Sequence, residues 1–366
     1  MLNRRDFLAS AAAASAAALV LPGAARAAVV FDPRPGPWRS FAITTRLDLS
    51  GAGGPSQAPA QAWVPLPSIA ADDWGIPEGD DWTGNAVTAE VVTDPRYGAK
   101  LLHATFAPGE ASPAIEIVSR FRSRDRAGAG TVVPLSDAER QLYLAATDLM
   151  PTDGIVLETA GRITAGADGD EAKARAIYDW VVENTVRAAE VRGCGIGDVA
   201  SMLASGNLGG KCADLNALYV ALARASGLPA RDLYGIRVAP SAFGYKSLGA
   251  GSETITRSQH CRAEVWLAAS GWTPVDPADV RKVVLEEPPG GNALDSEVVA
   301  AARAKLFGAW EGNWMPYNAA HDLVLPGSEH EVAFLMYPQA EVAGLLLDCL
   351  DPDGFAYSIT AAELAA

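Results

Sequence analysis

The order of local textures along the 366 residues limits the fold more than any other feature. From Val29 to about Arg126 the chain carries only short alternating or β-branched runs, among them "WRSFAITTRLDLS", "QAWVPLP", "NAVTAEVVTD" and "AIEIVSRFRSR". Turn residues such as "GAGGPS" and "DPRYG" separate them. From Ser136 the period becomes helical, and after Arg231 it returns to strands. Such segregation of strands and helices predicts an α+β fold. The first stretch, with its repeated short strands, reads as a sandwich-like domain of antiparallel sheets.

The helical stretch is well punctuated. "SDAERQLYLAATD" opens on a serine cap with a glutamate three residues on. "DEAKARAIYDWVVENTVR" places Ala174, Ile177, Tyr178, Val181 and Val182 on one stripe. "IGDVASMLASG" is a shorter helix ending at glycine. In "GNLGGKCADLNALYVALARASGLPAR" a glycine run leads to Cys212 and a helix with Leu215, Leu218, Tyr219 and Leu222 at three- and four-residue steps. Gly227 and Pro229 stop it. "RDLYGIRVAPS" is then a strand, and "HCRAEVWLAASGWTPVDPAD" a hairpin turning near Ala269-Ser270-Gly271. A last helical piece, "DSEVVAAARAKLFGAW", precedes short strand-like runs.

The first 27 residues are set aside as an export signal. A polar head with Arg4 and Arg5 precedes an apolar run from about Phe7 to Leu21, and Ala25-Arg26-Ala27 offers a signal-peptidase site. The run is too short and alanine-rich for a comfortable membrane span. The head Asn3-Arg4-Arg5-Asp6-Phe7-Leu8 resembles a twin-arginine signal, which makes the export machinery a partner and the periplasm the destination. Losing Arg4, Arg5, Arg26 and Asp6 takes the formal charge from −15 to −17. That excess of acid argues against nucleic acid as a partner. Four cysteines without a CxxC pair, and four histidines, argue against a disulfide scaffold and a structural zinc site. No metal or cofactor is expected.

The chemistry centres on Cys212. A thiol at a helix N-terminus sits where free N–H groups and the helix dipole favour the thiolate. Gly209 and Gly210 carry no side chains and would let a substrate backbone approach. A base is available in His260, which shares a strand face with Arg262, Glu264 and Trp266, while Cys261 lies on the other face as a core thiol. The hairpin returns Asp276 to the neighbourhood of His260, where a carboxylate fixes the imidazole's tautomer and stabilises its cation. Cys, His and Asp in this arrangement form an activated nucleophile.

Gly210-Lys211-Cys212-Ala213-Asp214, the following helix, "QHCRAEVWL" and "GWTPVDPAD" together resemble the transglutaminase-like superfamily, relatives of papain-type cysteine proteases. The resemblance runs from about Thr147 to Leu285. It implies a core of helices packed on an antiparallel sheet, with Cys212 as nucleophile, His260 as general base and Asp276 as the orienting carboxylate. The β-domain and export signal look like those of exported bacterial members. The expected division is a signal over 1–27, an N-terminal β domain over 28–130, the catalytic core over 131–290 and a C-terminal extension packing on the core over 291–366.

The activity implied is thioester formation at Cys212 and hydrolysis of amides in peptides or proteins. Transamidation by the same triad, and a non-enzymatic envelope binding module, are the alternatives. The Cys212 backbone N–H is the first candidate for the oxyanion, and Asn207 and Gln259 are candidates for the second donor. Trp310 and Trp314 are candidates for lining a substrate groove. Asp214, in the first helical turn, is read as structural. Pairing among Cys194, Cys261 and Cys349, and the oligomeric state, stay open.

Overall fold

The computed structural model describes residues 30–51, 58–128 and 132–365, so the expected export signal lies outside the described residues. Two antiparallel sheets form the N-terminal β region. One orders Tyr357–Leu364, Arg39–Asp48, Ala114–Ser123 and Gly75–Gly84. The other orders Leu345–Leu346, Gln339–Val342, Ala60–Pro65, Lys100–Phe106 and Thr88–Thr93. Alternate residues along Arg39–Asp48 and Ala114–Ser123 are buried, as a strand with one covered face requires. Phe41, Ile43, Ile117 and Phe121 of one sheet share a core with Ala62, Val64, Leu102 and Ala104 of the other.

Both sheets are finished by strands from the end of the chain. The division expected after residue 290 therefore differs from the structure. Part of that segment, Trp314–Asn318, pairs with Ala230–Arg237 in the core sheet, while residues 339–364 pair with Ala60–Pro65 and Arg39–Asp48. The reason is edge protection: each sheet buries an open edge under a strand that only the distant C-terminus supplies.

The second unit is a four-stranded antiparallel sheet ordered Gly271–Val275, Gln259–Leu267, Ala230–Arg237 and Trp314–Asn318. The helix Cys212–Ala225 lies on it, flanked by Gly154–Ile163 and Asp170–Asn184. Every residue from Cys212 to Arg224 is buried, because this helix runs through the core, and its polar members Asp214, Asn216 and Arg224 are each hydrogen-bonded there. Helix boundaries follow local chemistry. Ser136 and Glu139 cap each other's backbone, and Gly206 ends its helix at φ 70°, where glycine carries no side-chain penalty.

Candidate active site

Three elements deliver the site. The Cys212 helix begins beside the loop that carries Cys194. The strand Gln259–Leu267 starts with His260. The strand Gly271–Val275 ends in Asp276. Ala263 pairs with Val275, so Asp276 continues past the register and reaches back to His260. The imidazole Nε2 lies 2.8 Å from Asp276 Oδ2. The other oxygen of Asp276, Oδ1, accepts from the Asp279 N–H at 3.0 Å and caps the helix Pro277–Glu286, with Pro277 in its first turn. One carboxylate therefore fixes both the histidine and the helix after it. Asn216 Nδ2 holds Asp276 Oδ1 at 3.3 Å and the Cys261 carbonyl at 2.9 Å, and Trp314 Nε1 donates to the His260 carbonyl at 2.9 Å.

The start of the Cys212 helix is held by Asp214. Its carboxylate accepts from the N–H groups of Ile196, Gly197 and Lys211 at 2.9 to 3.0 Å, which ties the Cys194 loop to the helix. Gly195 adopts φ +89°, and a Cβ there would fall 1.8 Å from the Asp214 carboxylate. The Ala213 N–H is spent on the Cys194 carbonyl. The Cys212 N–H, at the first helical position, has no partner within the helix.

Charge is distributed unusually around the thiol. The sulfurs of Cys194, Cys212 and Cys261 lie within 4.8 Å of one another, all buried. Donation from Cys194 is the largest cause holding the Cys212 thiol well below its usual range; Cys261 adds to it, burial opposes it and His260 adds again. Cys194 Sγ also lies 3.4 Å from the Gln259 carbonyl, but a thiolate is the stronger acceptor. The Cys261 thiol is pushed well up by burial and by its two sulfur neighbours. Burial pulls His260 down and Arg237 adds to this, yet Asp279 and Asp276 outweigh both and raise it to about 9. A lowered Cys212 thiol next to a raised His260 imidazole favours the thiolate–imidazolium pair over the neutral one.

The consequence is measurable. In Cys194→Ala the thiolate loses its main donor, so the midpoint of the pH profile for Cys212 alkylation by iodoacetamide is expected to move upward. At about pH 6 the rate should fall several-fold below that of the native chain. An unmoved midpoint would assign the acidity of Cys212 to other groups.

A cleft of about 410 Å³ opens onto these atoms. Cys194, Cys212, Gln259 and His260 line it, and Tyr337, Leu350 and Tyr357 from the end of the chain form a wall. Several residues expected here are elsewhere. Trp310 and Trp314 are 1% exposed and pack with Trp74 under the Arg262 guanidinium, so they line no groove. Gly210 leaves room for Asp214, 2.5 Å from where its Cβ would stand, and Gly209 pairs with Val186; neither lines the cleft. Asn207 is exposed and its Oδ1 accepts from the Gly209 N–H. Gln259 does line the cleft, with its Nε2 donating to the Thr256 carbonyl at 3.1 Å.

Other residues were not foreseen in the site. Asp279 Oδ2 lies 3.4 Å from His260 Nε2, while its Oδ1 accepts from Arg237 at 2.6 Å. Burial would raise its pKa, but Arg237 and His260 hold it well below the usual range. The cap-to-first-turn spacing in "DPAD" was the signal for it. Cys194 gave none, since nothing local ties a glycine-flanked turn to a thiol 18 residues later. Cys261 points away from His260 on its strand, yet its sulfur still meets Cys212, because the helix covers that face. The three thiols, and separately His260 with Asp276 and Asp279, stand close enough to share an ion.

Fold and site together define a papain-like arrangement: thiol on a central helix, imidazole and carboxylate on the adjacent sheet. Residues 157–277 match the sequence profile of the transglutaminase-like superfamily. A Haemophilus influenzae protein, described only as uncharacterized, is 37% identical over 343 residues, covering 88% of this chain and 91% of that one. A solved structure from Cytophaga hutchinsonii, described as a candidate cysteine protease, shares the fold at 13% identity. It aligns with a TM-score of 0.52 over 90% of this chain and 92% of its own. The chain belongs to the transglutaminase-like superfamily.

Proposed function

We propose that this protein is an exported thiol enzyme that forms a thioester at Cys212 and hydrolyses amide bonds in peptides or proteins. The observation that carries the reading is the juxtaposition of a depressed Cys212 thiol, a His260 imidazole and the Asp276 carboxylate on one cleft. The Cys212 sulfur attacks the carbonyl carbon, and the oxyanion is met by the Cys212 N–H. His260 gives its proton to the leaving amine as the C–N bond breaks. Water then attacks the thioester, His260 takes the proton, and the acid departs. With Nε2 engaged by Asp276, the Nδ1 nitrogen is left for the thiol and the substrate. Export is proposed on residues 1–27, and no helix among the described residues is long and apolar enough to cross a membrane.

The test is p-nitrophenyl acetate. A burst of about one p-nitrophenol per chain is expected, with an acetyl adduct mapped to the Cys212 peptide and released by hydroxylamine. No burst and no adduct at Cys212 would refute the reading. Adding a primary amine separates the fates of the thioester: free acid as the main product supports hydrolysis, and amide as the main product makes the chain a transamidase.

A further inference from the structure

We propose that the Cys212 cleft selects acyl substrates bearing a negative charge beside the scissile carbonyl, such as peptides with an acidic side chain or free carboxylate there. This rests on the thioester reading above and names the substrate class for the same site. The chain as a whole is strongly acidic, at −15, yet the cleft is lined by Arg187, Lys211, Arg237, Arg257 and Lys282 and by no aspartate or glutamate. A cleft walled by one sign of charge concentrates ligands of the other sign. Such a wall in an acidic protein is the reverse of what its composition would supply by default.

The cations are not equally free. Arg237 is buried and spent on Asp279. Arg257 pairs with Asp353 at 2.9 Å, both largely exposed, an arrangement that holds weakly. Arg187 and Lys282 share one carboxylate, Glu286, with the Lys282 ammonium 3.8 Å from it. Among the described residues no carboxylate is placed within 4 Å of the Lys211 ammonium, and Lys211 immediately precedes Cys212 at the start of the helix. Unneutralised positive charge therefore lines the cleft at Lys211 and at the Arg187–Lys282 pair, which shares a single carboxylate. Burial, with Arg237 adding to it, lowers the Lys282 pKa, and Asp279 and Glu286 only partly offset this. These cations are not needed to make the thiolate, since Cys194, Cys261 and His260 do that. An anionic group on the substrate would complete the pairing.

Two alkylating reagents of nearly the same size, iodoacetate and iodoacetamide, test this on the mature chain. The rate at Cys212, read by peptide mapping, is compared with that of N-acetylcysteine thiolate. The iodoacetate-to-iodoacetamide ratio is expected to exceed the reference by about tenfold at low salt. It should fall toward the reference at about 1 M salt, and drop several-fold in Lys211→Gln/Lys282→Gln. A Cys212 that reacts fast but with the reference ratio, or a ratio indifferent to salt in the native chain, overturns this proposal alone. A Cys212 that reacts no faster than Cys349 with either reagent overturns the thioester reading and this proposal with it.

Discussion

His260→Ala is expected to lower amide turnover by roughly three to six orders of magnitude, while the burst with p-nitrophenyl acetate falls far less. The difference comes from where the two leaving groups end. An amine must be protonated as it departs, and His260 is the acid that the site presents. A p-nitrophenolate leaves as an anion and needs no proton. The thiolate itself partly survives the substitution, because the donors that hold it down most are Cys194 and Cys261, with His260 after them. The pH profile carries the same argument. With His260 raised to about 9, the imidazolium is present below that pH and lost as pH rises through it. Amide turnover of the native chain should therefore decline on the alkaline side near pH 9, and the acid limb should follow protonation of Cys212. A variant that keeps native amide turnover, or loses ester and amide activity equally, would remove His260 from the role of proton donor.

What could be read from the sequence divides by distance along the chain. The helix start at Cys212 was legible because its signals are local: glycines before, apolar steps within, Gly227 and Pro229 after. The His260–Asp276 approach was legible because a hairpin converts sequence distance into register. The Cys194 sulfur beside Cys212 was not, since a loop fastened by Asp214 to the helix has no period to betray it. The groove tryptophans went wrong for a related reason. Trp310 and Trp314 qualified only as aromatics, the residue type that lines many clefts, but both rings pack with Trp74 and the Arg262 guanidinium in the interior. The true wall, Tyr337 to Tyr357, belongs to a segment whose strands pair with the beginning of the chain, a contact with no local trace. The cationic lining leaves no sequence signal because its members lie scattered from Arg187 to Lys282 in a chain whose overall charge points the other way.

Glu264→Gln is expected to destabilise the fold by about 3–5 kcal/mol, as removal of one member of a buried ion cluster does. Glu264 stands four residues after His260 on the same strand face, 1% exposed at its side chain. It accepts from Arg231 at 2.6 Å and from Arg126, which comes from the end of the N-terminal β region and also contacts the Trp272 carbonyl. Burial works against the charge on Glu264, but Arg231 and Arg126 outweigh it and hold the carboxyl below its usual range. A glutamine keeps the shape and can accept one hydrogen bond, yet it leaves two guanidinium groups facing each other without a counter-charge. The sign of the pH dependence follows from the lowered value. The stabilisation is full above the unfolded carboxyl pKa of about 4.3 and lost as pH falls through the folded one. The gap between native and variant midpoints in guanidinium chloride should thus be widest at neutral pH and close below about pH 4. Arg126→Leu should cost less than Glu264→Gln through this cluster, because Arg231 remains to neutralise the carboxylate. A neutral-pH midpoint that does not move in Glu264→Gln would show that the junction between the β region and the core draws no stability from this cluster.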